Sequence, residues 1–456
     1  MITNNIILSS DSYKYSMYLQ YPPETEVVYS YIESRGGKWD RTVFFGLQAF
    51  IMQYMLKPVT MENIDEAEEI LLAHGEPFNR AGWEYIVKEL NGLLPVVIKA
   101  VPEGTIIPNK NVLLTIENTD PKCFWLTTFL ETALLRAIWY PTTVATNSWA
   151  SRQEILKWLE KTGDVSGIDF KLHDFGARGA SSSESAMLGG MGHLVNFRGT
   201  DTVEALWGAR KFYDAKMAGF SIPAAEHSTI TAWGREFEVE AYRNMVRQFA
   251  KKDAIFAVVS DSYDIFNAAE NLWGKELKNE VIDSGATLVV RPDSGDPSTV
   301  VLQVVEALDK GYGHTVNDKG YKVLNNVRVI QGDGIDLQSI RSILFTLSLS
   351  GWSADNVNFG QGGALLQMVN RDDLKFAMKA SAIRVAGEWR DVFKDPITDS
   401  GKKSKKGRVT LYRDKDGTYR SGVEDWEKSY LVEYFRDGVE FRHVKWEDIL
   451  ETYKNS

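Results

Sequence analysis

Val327-Arg328-Val329-Ile330-Gln331-Gly332-Asp333-Gly334, followed by Val357-Asn358-Phe359-Gly360-Gln361-Gly362-Gly363, is the passage on which the fold turns. Each half is a short β-branched or apolar run ending in a glycine-rich tip, and helical periodicity begins after each tip. The same unit recurs upstream. Residues 170–172 lead to His173-Asp174-Phe175-Gly176, 194–197 to Gly199-Thr200-Asp201, and 220–222 to Pro223 and His227. Residues 256–259 lead to Ser260-Asp261, and 287–290 to Arg291-Pro292-Asp293. The last four tips, beginning at 261, 291, 332 and 360, lie about 30 to 40 residues apart, the length of a βαβ unit. Residues 263–273, 298–308 and 337–347 read as the intervening helices.

Seven such runs with polar residues at their C-terminal ends predict an irregular (β/α) barrel of about seven strands, whose sites sit on that face. A doubly wound open sheet shares the rhythm and stays open at this stage. The first 150 residues differ, with hydrophobic runs at 27–32, 96–100 and 112–116 and two helices expected around Pro141. The tail carries strand-like pieces at 409–412 and 430–434. The expected organisation is therefore α/β: a barrel domain over 151–384, flanked by an α+β domain built from both chain ends, 1–150 and 385–456.

Composition narrows the function. A chain of 456 residues with 44% hydrophobic and 25% charged residues buries a sizeable core and is not a disordered or low-complexity protein. Its 52 basic against 62 acidic residues give a net charge of −10, which argues against a nucleic-acid binder. The single cysteine, Cys123, excludes a disulfide scaffold and lies in an apolar stretch that reads as packing, which suits a reducing compartment. No secretory h-region and no run of about 20 apolar residues is present, so a cytoplasmic protein without a membrane segment is expected.

The two consecutive glycine tips present backbone N–H groups at strand ends and read as a phosphate cradle. Between Arg371 and Arg408, eleven Lys and Arg face six Asp and Glu, a local excess that reads either as a polyanion site or as a solvated loop around Lys402-Lys403-Ser404-Lys405-Lys406. Asp201, Asp261, Asp293 and Asp333 recur at the tips. They suit Mg²⁺ shared with substrate phosphates, or ribose hydroxyls, and each also suits a helix N-cap. His227, beside Glu226 in the loop after a strand, reads as a base or nucleophile or as a structural histidine.

These residues carry a resemblance. Asp11-Ser12-Tyr13-Lys14, His173-Asp174-Phe175-Gly176 with Arg178-Gly179, and Asn196-Phe197-Arg198-Gly199-Thr200-Asp201-Thr202 are among them. Ser221-Ile222-Pro223-Ala224-Ala225-Glu226-His227, Ser260-Asp261-Ser262-Tyr263-Asp264, Arg291-Pro292-Asp293-Ser294-Gly295, Gln331-Gly332-Asp333-Gly334 and Phe393-Lys394-Asp395-Pro396 follow in order. Together they resemble the nicotinamide phosphoribosyltransferases, a family of type II phosphoribosyltransferases, over nearly the whole chain. The resemblance implies transfer of phosphoribose from 5-phosphoribosyl 1-diphosphate to nicotinamide, with Mg²⁺, ATP as co-substrate through a phosphohistidine, and a homodimer with shared active sites. Nicotinate transfer is the alternative activity, and a catalytically silent nucleotide-binding relative the alternative class.

By position the resemblance makes His227 the phosphorylated residue, with Glu226, Asp261 and Asp293 as acids around it and Asp261 and Asp293 on the metal side through water. Phe175 and, from the partner subunit, Tyr13 sandwich the pyridine, flanked by Arg178 and Arg291. Asp201 and Ser221 belong to the same pocket, with Asp201 accepting the carboxamide N–H. Asp293, Gly332 and Asp333 hold the ribose, and Gly362 and Gly363 the 5-phosphate, helped by Arg371 of the partner subunit. Arg35, Lys379, Lys394 and Lys402 meet the diphosphate or ATP phosphates, some of them across the interface. Gln361, Ala177 and Ala377 depart from the family pattern.

Overall fold

A computed structural model describes residues 5–398, 403–423 and 425–456. The chain divides into two compact units: one runs up to Thr146 and adds Gly208–Lys216 and Asn370–Ser456, and the other comprises Asn147–Trp207 and Met217–Val369.

The first unit joins both chain ends in a seven-stranded antiparallel sheet. Its order is Glu388–Asp391, Phe376–Val385, Thr25–Ser34, Val112–Asn118, Val96–Ala100, Val432–Arg436 and Val439–Glu440. The strand Thr25–Ser34 is β-branched and aromatic and is buried at every position except Glu26, so it is covered on both faces. Phe376–Val385 pairs along it, with Tyr31 opposite Lys379 and Glu33 opposite Ala377. That pairing draws residues 370–384, assigned from sequence to the barrel domain, into the first unit; the boundary falls after Val369.

Residues around Pro141 also differ from expectation, forming one helix, Glu131–Thr162, with the proline inside. The Ala137 carbonyl that loses its partner at Pro141 faces Gly46, where a Cβ would overlap the proline ring and where φ is +107°. Thr142 and Thr146 take the backbone N–H groups of Phe45 (3.2 Å) and Val43 (3.0 Å), which stitches the strained turn to its neighbour. Cys123 is buried, and burial pushes its thiol up to about 12, as packing requires.

The second unit holds a six-stranded parallel sheet in the order Gly199–Thr200, Leu172–Asp174, Val357–Gln361, Val327–Gln331, Thr287–Arg291, Ile255–Val259. Segment 220–224 closes it. Phe220 bridges Gly199 on one side and Ala224 bridges Ala257 on the other, both in parallel sense. Pro223, lacking an N–H, keeps this seventh stave from forming a full ladder. Residues 194–197 are not a strand: the helix Ser183–Leu194 ends there, and the stave is Gly199–Thr200.

Alternation along the strands sorts the side chains. Phe256, Val258, Leu288, Val290 and Val329 pack outward against Val301, Val304 and Leu308 of Pro297–Tyr312 and Ile340 and Ile343 of Leu337–Leu349. Ala257, Val289 and Ile330 face inward, with Phe175 and Ile222 against them. Among the described residues no helix is long and apolar enough to cross a membrane.

One buried acid makes the first unit pH-sensitive. Glu103 accepts the Gln48 N–H (2.9 Å) at the start of helix Leu47–Phe50, and complete burial pushes its carboxyl up to about 7 from an ordinary 4.5. A raised folded-state value means this contribution is full below about pH 4.5 and is lost as pH rises to about 7. Glu103→Gln is therefore expected to gain thermal stability relative to the parent protein at pH 8 compared with pH 5, read by melting temperature; a pH-independent difference contradicts this.

Candidate active site

The small inward-facing residues leave the barrel hollow. A cavity of about 250 Å³ is lined by Ile222, Ala224, Ala257, Val289 and Ile330, with Phe170, Phe220 and Ile255 also bordering it. Its polar wall comprises His173, Asp201, Ser221, Arg291 and Asn358, and Phe175 adds an aromatic face. Gly360 makes room for that ring, because a Cβ there would overlap it, and a Cβ on Gly332 would stand 3.2 Å from the ring and 3.4 Å from Asp293 Oδ1. The glycine tips thus seat Phe175 as well as exposing backbone.

Asp201 is fixed from two sides. His173 Nε2 lies 2.8 Å and the Ser221 hydroxyl 2.7 Å from the same oxygen, Oδ1. Burial alone would raise this carboxyl; the His173 and Ser221 hydrogen bonds and the nearby positive charge of Arg291 outweigh it and hold it below the usual range. Behind it, buried Asp174 accepts the Gly176 N–H (2.7 Å), and its backbone carbonyl accepts the Asp201 N–H (2.9 Å), tying the two tips together. Burial pushes the Asp174 carboxyl up to about 6.

A second cluster surrounds His227, which opens the short helix His227–Thr231. Its Nε2 meets Asp261 Oδ1 at 3.0 Å, while Asp261 Oδ2 accepts the Asp293 N–H (3.1 Å) and the Ser294 hydroxyl (2.6 Å). The Asp261 side chain is 6% exposed and that of His227 44%. Burial raises the Asp261 carboxyl, yet these three hydrogen bonds win and hold it low. Asp293 moves the other way: burial and the Asp261 and Asp333 carboxylates raise it against the pull of Arg291, 3.4 Å away. Glu226 caps its own turn, accepting the Ser228 hydroxyl at 2.7 Å.

The first unit has its own polar cavity, of about 910 Å³, lined by Arg35, Lys110, Arg371, Lys375, Lys379, Lys394, Lys403 and Lys405 with Glu33, Glu131 and Asp372. Glu33 is paired with Arg35 (2.9 Å) and with Lys405, and Glu131 with Lys14. Lys379 is held below its usual value by burial and by Arg35, Lys14 and Lys394, against Glu131. Such a cavity favours a polyanion that takes up the surplus positive charge.

Asp201, Ser221, Phe175 and Arg291 therefore meet in one cavity, and His227, Asp261 and Asp293 in one cluster, while Gly332 adjoins both Phe175 and Asp293. Asp333 acts on Asp293 through its charge. Arg35, Lys379, Lys394 and Arg371 share the basic cavity. Arg178 stands exposed on the turn Ala177–Gly179 and does not line the barrel cavity. Tyr13 projects from the first unit, 59% exposed. Gly362 and Gly363 lie at the start of helix Gly363–Leu366, and Lys402 falls outside the described residues. Sequence reasoning did not single out His173 as a site residue, nor the apolar wall. The wall's signal is the period of two that turns Ala257, Val289 and Ile330 inward.

Residues 170–437 match the model of the nicotinate phosphoribosyltransferase (NAPRTase) family, and residues 5–98 that of the nicotinamide phosphoribosyltransferase N-terminal domain. The chain is 59% identical over 425 residues to a nicotinamide phosphoribosyltransferase of Xanthomonas campestris pv. campestris (strain 8004), covering 92% of this chain and 91% of the relative. It is 32% identical over 453 residues to one from Acinetobacter baylyi, covering 91% and 89%. Among solved structures it resembles a nicotinate-nucleotide pyrophosphorylase from Pyrococcus furiosus, with TM-score 0.62, 17% identity and coverage of 100% and 96%. Human nicotinic acid phosphoribosyltransferase follows at TM-score 0.56, 15% identity and coverage of 98% and 93%; these two establish likeness of fold.

Gly360→Ala is expected to displace the Phe175 ring and raise KM for a pyridine substrate about tenfold, the effect of losing roughly 1.4 kcal/mol of aromatic contact. An unchanged KM in steady-state kinetics contradicts this role for Gly360.

Proposed function

The chain belongs to the nicotinate phosphoribosyltransferase family, and on that premise we propose that it transfers phosphoribose from 5-phosphoribosyl 1-diphosphate to nicotinamide, yielding nicotinamide mononucleotide and diphosphate in NAD salvage. One observation carries the choice of base: Asp201, held ionised, borders an otherwise largely apolar cavity sized for a single ring. An anionic acceptor takes the N–H of a carboxamide and repels the carboxylate of nicotinate.

The ring nitrogen attacks ribose C1 with its lone pair, and the C1–O bond breaks with its electron pair leaving on diphosphate. Phe175 stacks on the ring, and Tyr13 from the other subunit of a homodimer covers the opposite face. Positive charge builds on the sugar, where Asp293 and Asp333 stabilise it, and negative charge builds on the leaving group. Arg35, Lys379 and Lys394 take the diphosphate or the ATP phosphates, some of them across the subunit interface, Lys402 joins them by sequence position, and Gly362 and Gly363 take the 5-phosphate with Arg371 of the partner subunit.

His227 Nε2 is engaged by Asp261, which leaves Nδ1 to attack the γ-phosphorus of ATP; the N–P bond forms as the bridging P–O bond breaks and ADP departs. Glu226 steadies the turn that carries it. Among the described residues no three His, Cys, Asp or Glu side chains converge as a metal cage. Both oxygens of Asp261 are already bonded, which fits Mg²⁺ carried by substrate phosphates and reached through water from Asp261 and Asp293. Such an ion supplies charge neutralisation on the diphosphate. A cytoplasmic location goes with this reading.

Purified protein with 5-phosphoribosyl 1-diphosphate and Mg²⁺ is expected to form nicotinamide mononucleotide faster with ATP than without, by chromatographic product analysis. In His227→Ala the stimulation by ATP is expected to vanish, and chelation of Mg²⁺ to abolish turnover. Nicotinate mononucleotide as the main product favours the alternative base, and no product with either base favours a silent binder. Asp201→Asn is expected to narrow the preference for nicotinamide at least tenfold; unchanged discrimination removes Asp201 from that role.

A further inference from the structure

We propose that His173 determines which pyridine the cavity accepts, by fixing which oxygen of Asp201 is presented to the ligand. This rests on the reading that the cavity binds the pyridine. Strand Leu172–Asp174 pairs with Gly199–Thr200 in a register that sets His173 opposite Gly199. The Nδ1 edge of the imidazole lies against that glycine, where a Cβ would stand 2.5 Å from Nδ1. From there Nε2 reaches Asp201 Oδ1, the same oxygen that receives the Ser221 hydroxyl.

Both donors therefore fall on one oxygen, and among the described residues no hydrogen bond falls on Oδ2. Asp201, His173 and Ser221 all line the cavity, so the carboxylate offers the ligand one uncommitted acceptor, held by two hydrogen bonds. The charged and titratable groups around His173 are Asp201, Asp174 on its own strand, buried His193, which burial holds neutral, and Arg291 across the cavity. Arg291 is drawn to Asp293 as well. The imidazole at position 173 thus holds Asp201 through Oδ1 and leaves Oδ2 to the ligand, with Arg291 as the cavity's other charged side chain. A permanent cation at 173 would neutralise Asp201 and turn the same wall into one that accepts a ring carboxylate.

The test is kcat/KM for nicotinamide and for nicotinate in the parent protein, His173→Gln, His173→Arg and Gly199→Ala, with KM for 5-phosphoribosyl 1-diphosphate followed alongside. The glutamine variant, a neutral donor, is expected to keep the nicotinamide-to-nicotinate ratio within about threefold. The arginine variant is expected to lower that ratio at least tenfold through the pyridine KM, with little change in KM for the sugar diphosphate. Gly199→Ala, which pushes the ring off Asp201, is expected to lower it by a smaller factor.

A parallel loss of both activities in His173→Arg, at constant ratio, overturns the proposal, as does a glutamine variant that loses the ratio as fully as the arginine one. If His173→Arg fails to fold, an unchanged ratio in Gly199→Ala overturns it. A parent protein inactive on both pyridines overturns the underlying reading and this proposal together. An active, selective parent whose ratio ignores these variants refutes the role of His173 alone.

Discussion

Two short hydrogen-bonded seams close the barrel, and the site depends on them. On one side Phe220 N–H donates to Arg198 C=O (2.7 Å) and Thr200 N–H to Phe220 C=O (3.0 Å). On the other, Ala225 N–H donates to Ala257 C=O (3.0 Å) and Ala257 N–H to Pro223 C=O (2.9 Å). Residues 220–224 thereby become the seventh stave, which carries Ser221 to Asp201 and leads directly into Glu226 and His227. A parallel barrel ordinarily fills its interior with bulky branched side chains. Here Ala224 and Ala257, neighbours across the second seam, are too small to fill the interior, and the hollow in front of them becomes the cavity.

The electrostatics of the second unit follow from how each carboxylate is satisfied. Asp201, half-exposed, and Asp261, with its side chain buried, are each hydrogen-bonded by a histidine and a hydroxyl, and both are held below the usual carboxylate range. Asp293 has an arginine at longer range and two acidic neighbours, and it is raised instead. The cavity of the first unit has the opposite balance, with its acids Glu33 and Glu131 already paired to Lys405, Arg35 and Lys14 and basic side chains in excess along its wall.

Much of this was legible in the chain. The strand–tip rhythm yields the parallel sheet because each βα unit is local in sequence, and the helices Pro297–Tyr312 and Leu337–Leu349 begin within a residue of where periodicity places them, capped by Asp296 and Asp336. Less local features were hidden. The run at 376–385 reads like another barrel strand until its pairing with Thr25–Ser34 is known. Pro141 reads as a helix break until Gly46 is seen to accommodate it. The glycine tips read as phosphate cradles, and nothing in their spacing reveals that Gly360 makes space for Phe175. His173 escaped notice because its meaning lies in a register, opposite Gly199 and within reach of Asp201.

On the proposed function, an ionised Asp201 on the wall of the barrel cavity selects a neutral pyridine carboxamide. Calorimetric titration of the purified protein with nicotinamide and, separately, nicotinate tests it most directly. Nicotinamide is expected to bind at least tenfold tighter than nicotinate at neutral pH, a difference of about 1.4 kcal/mol or more. Equal affinities, or tighter binding of nicotinate, would contradict it.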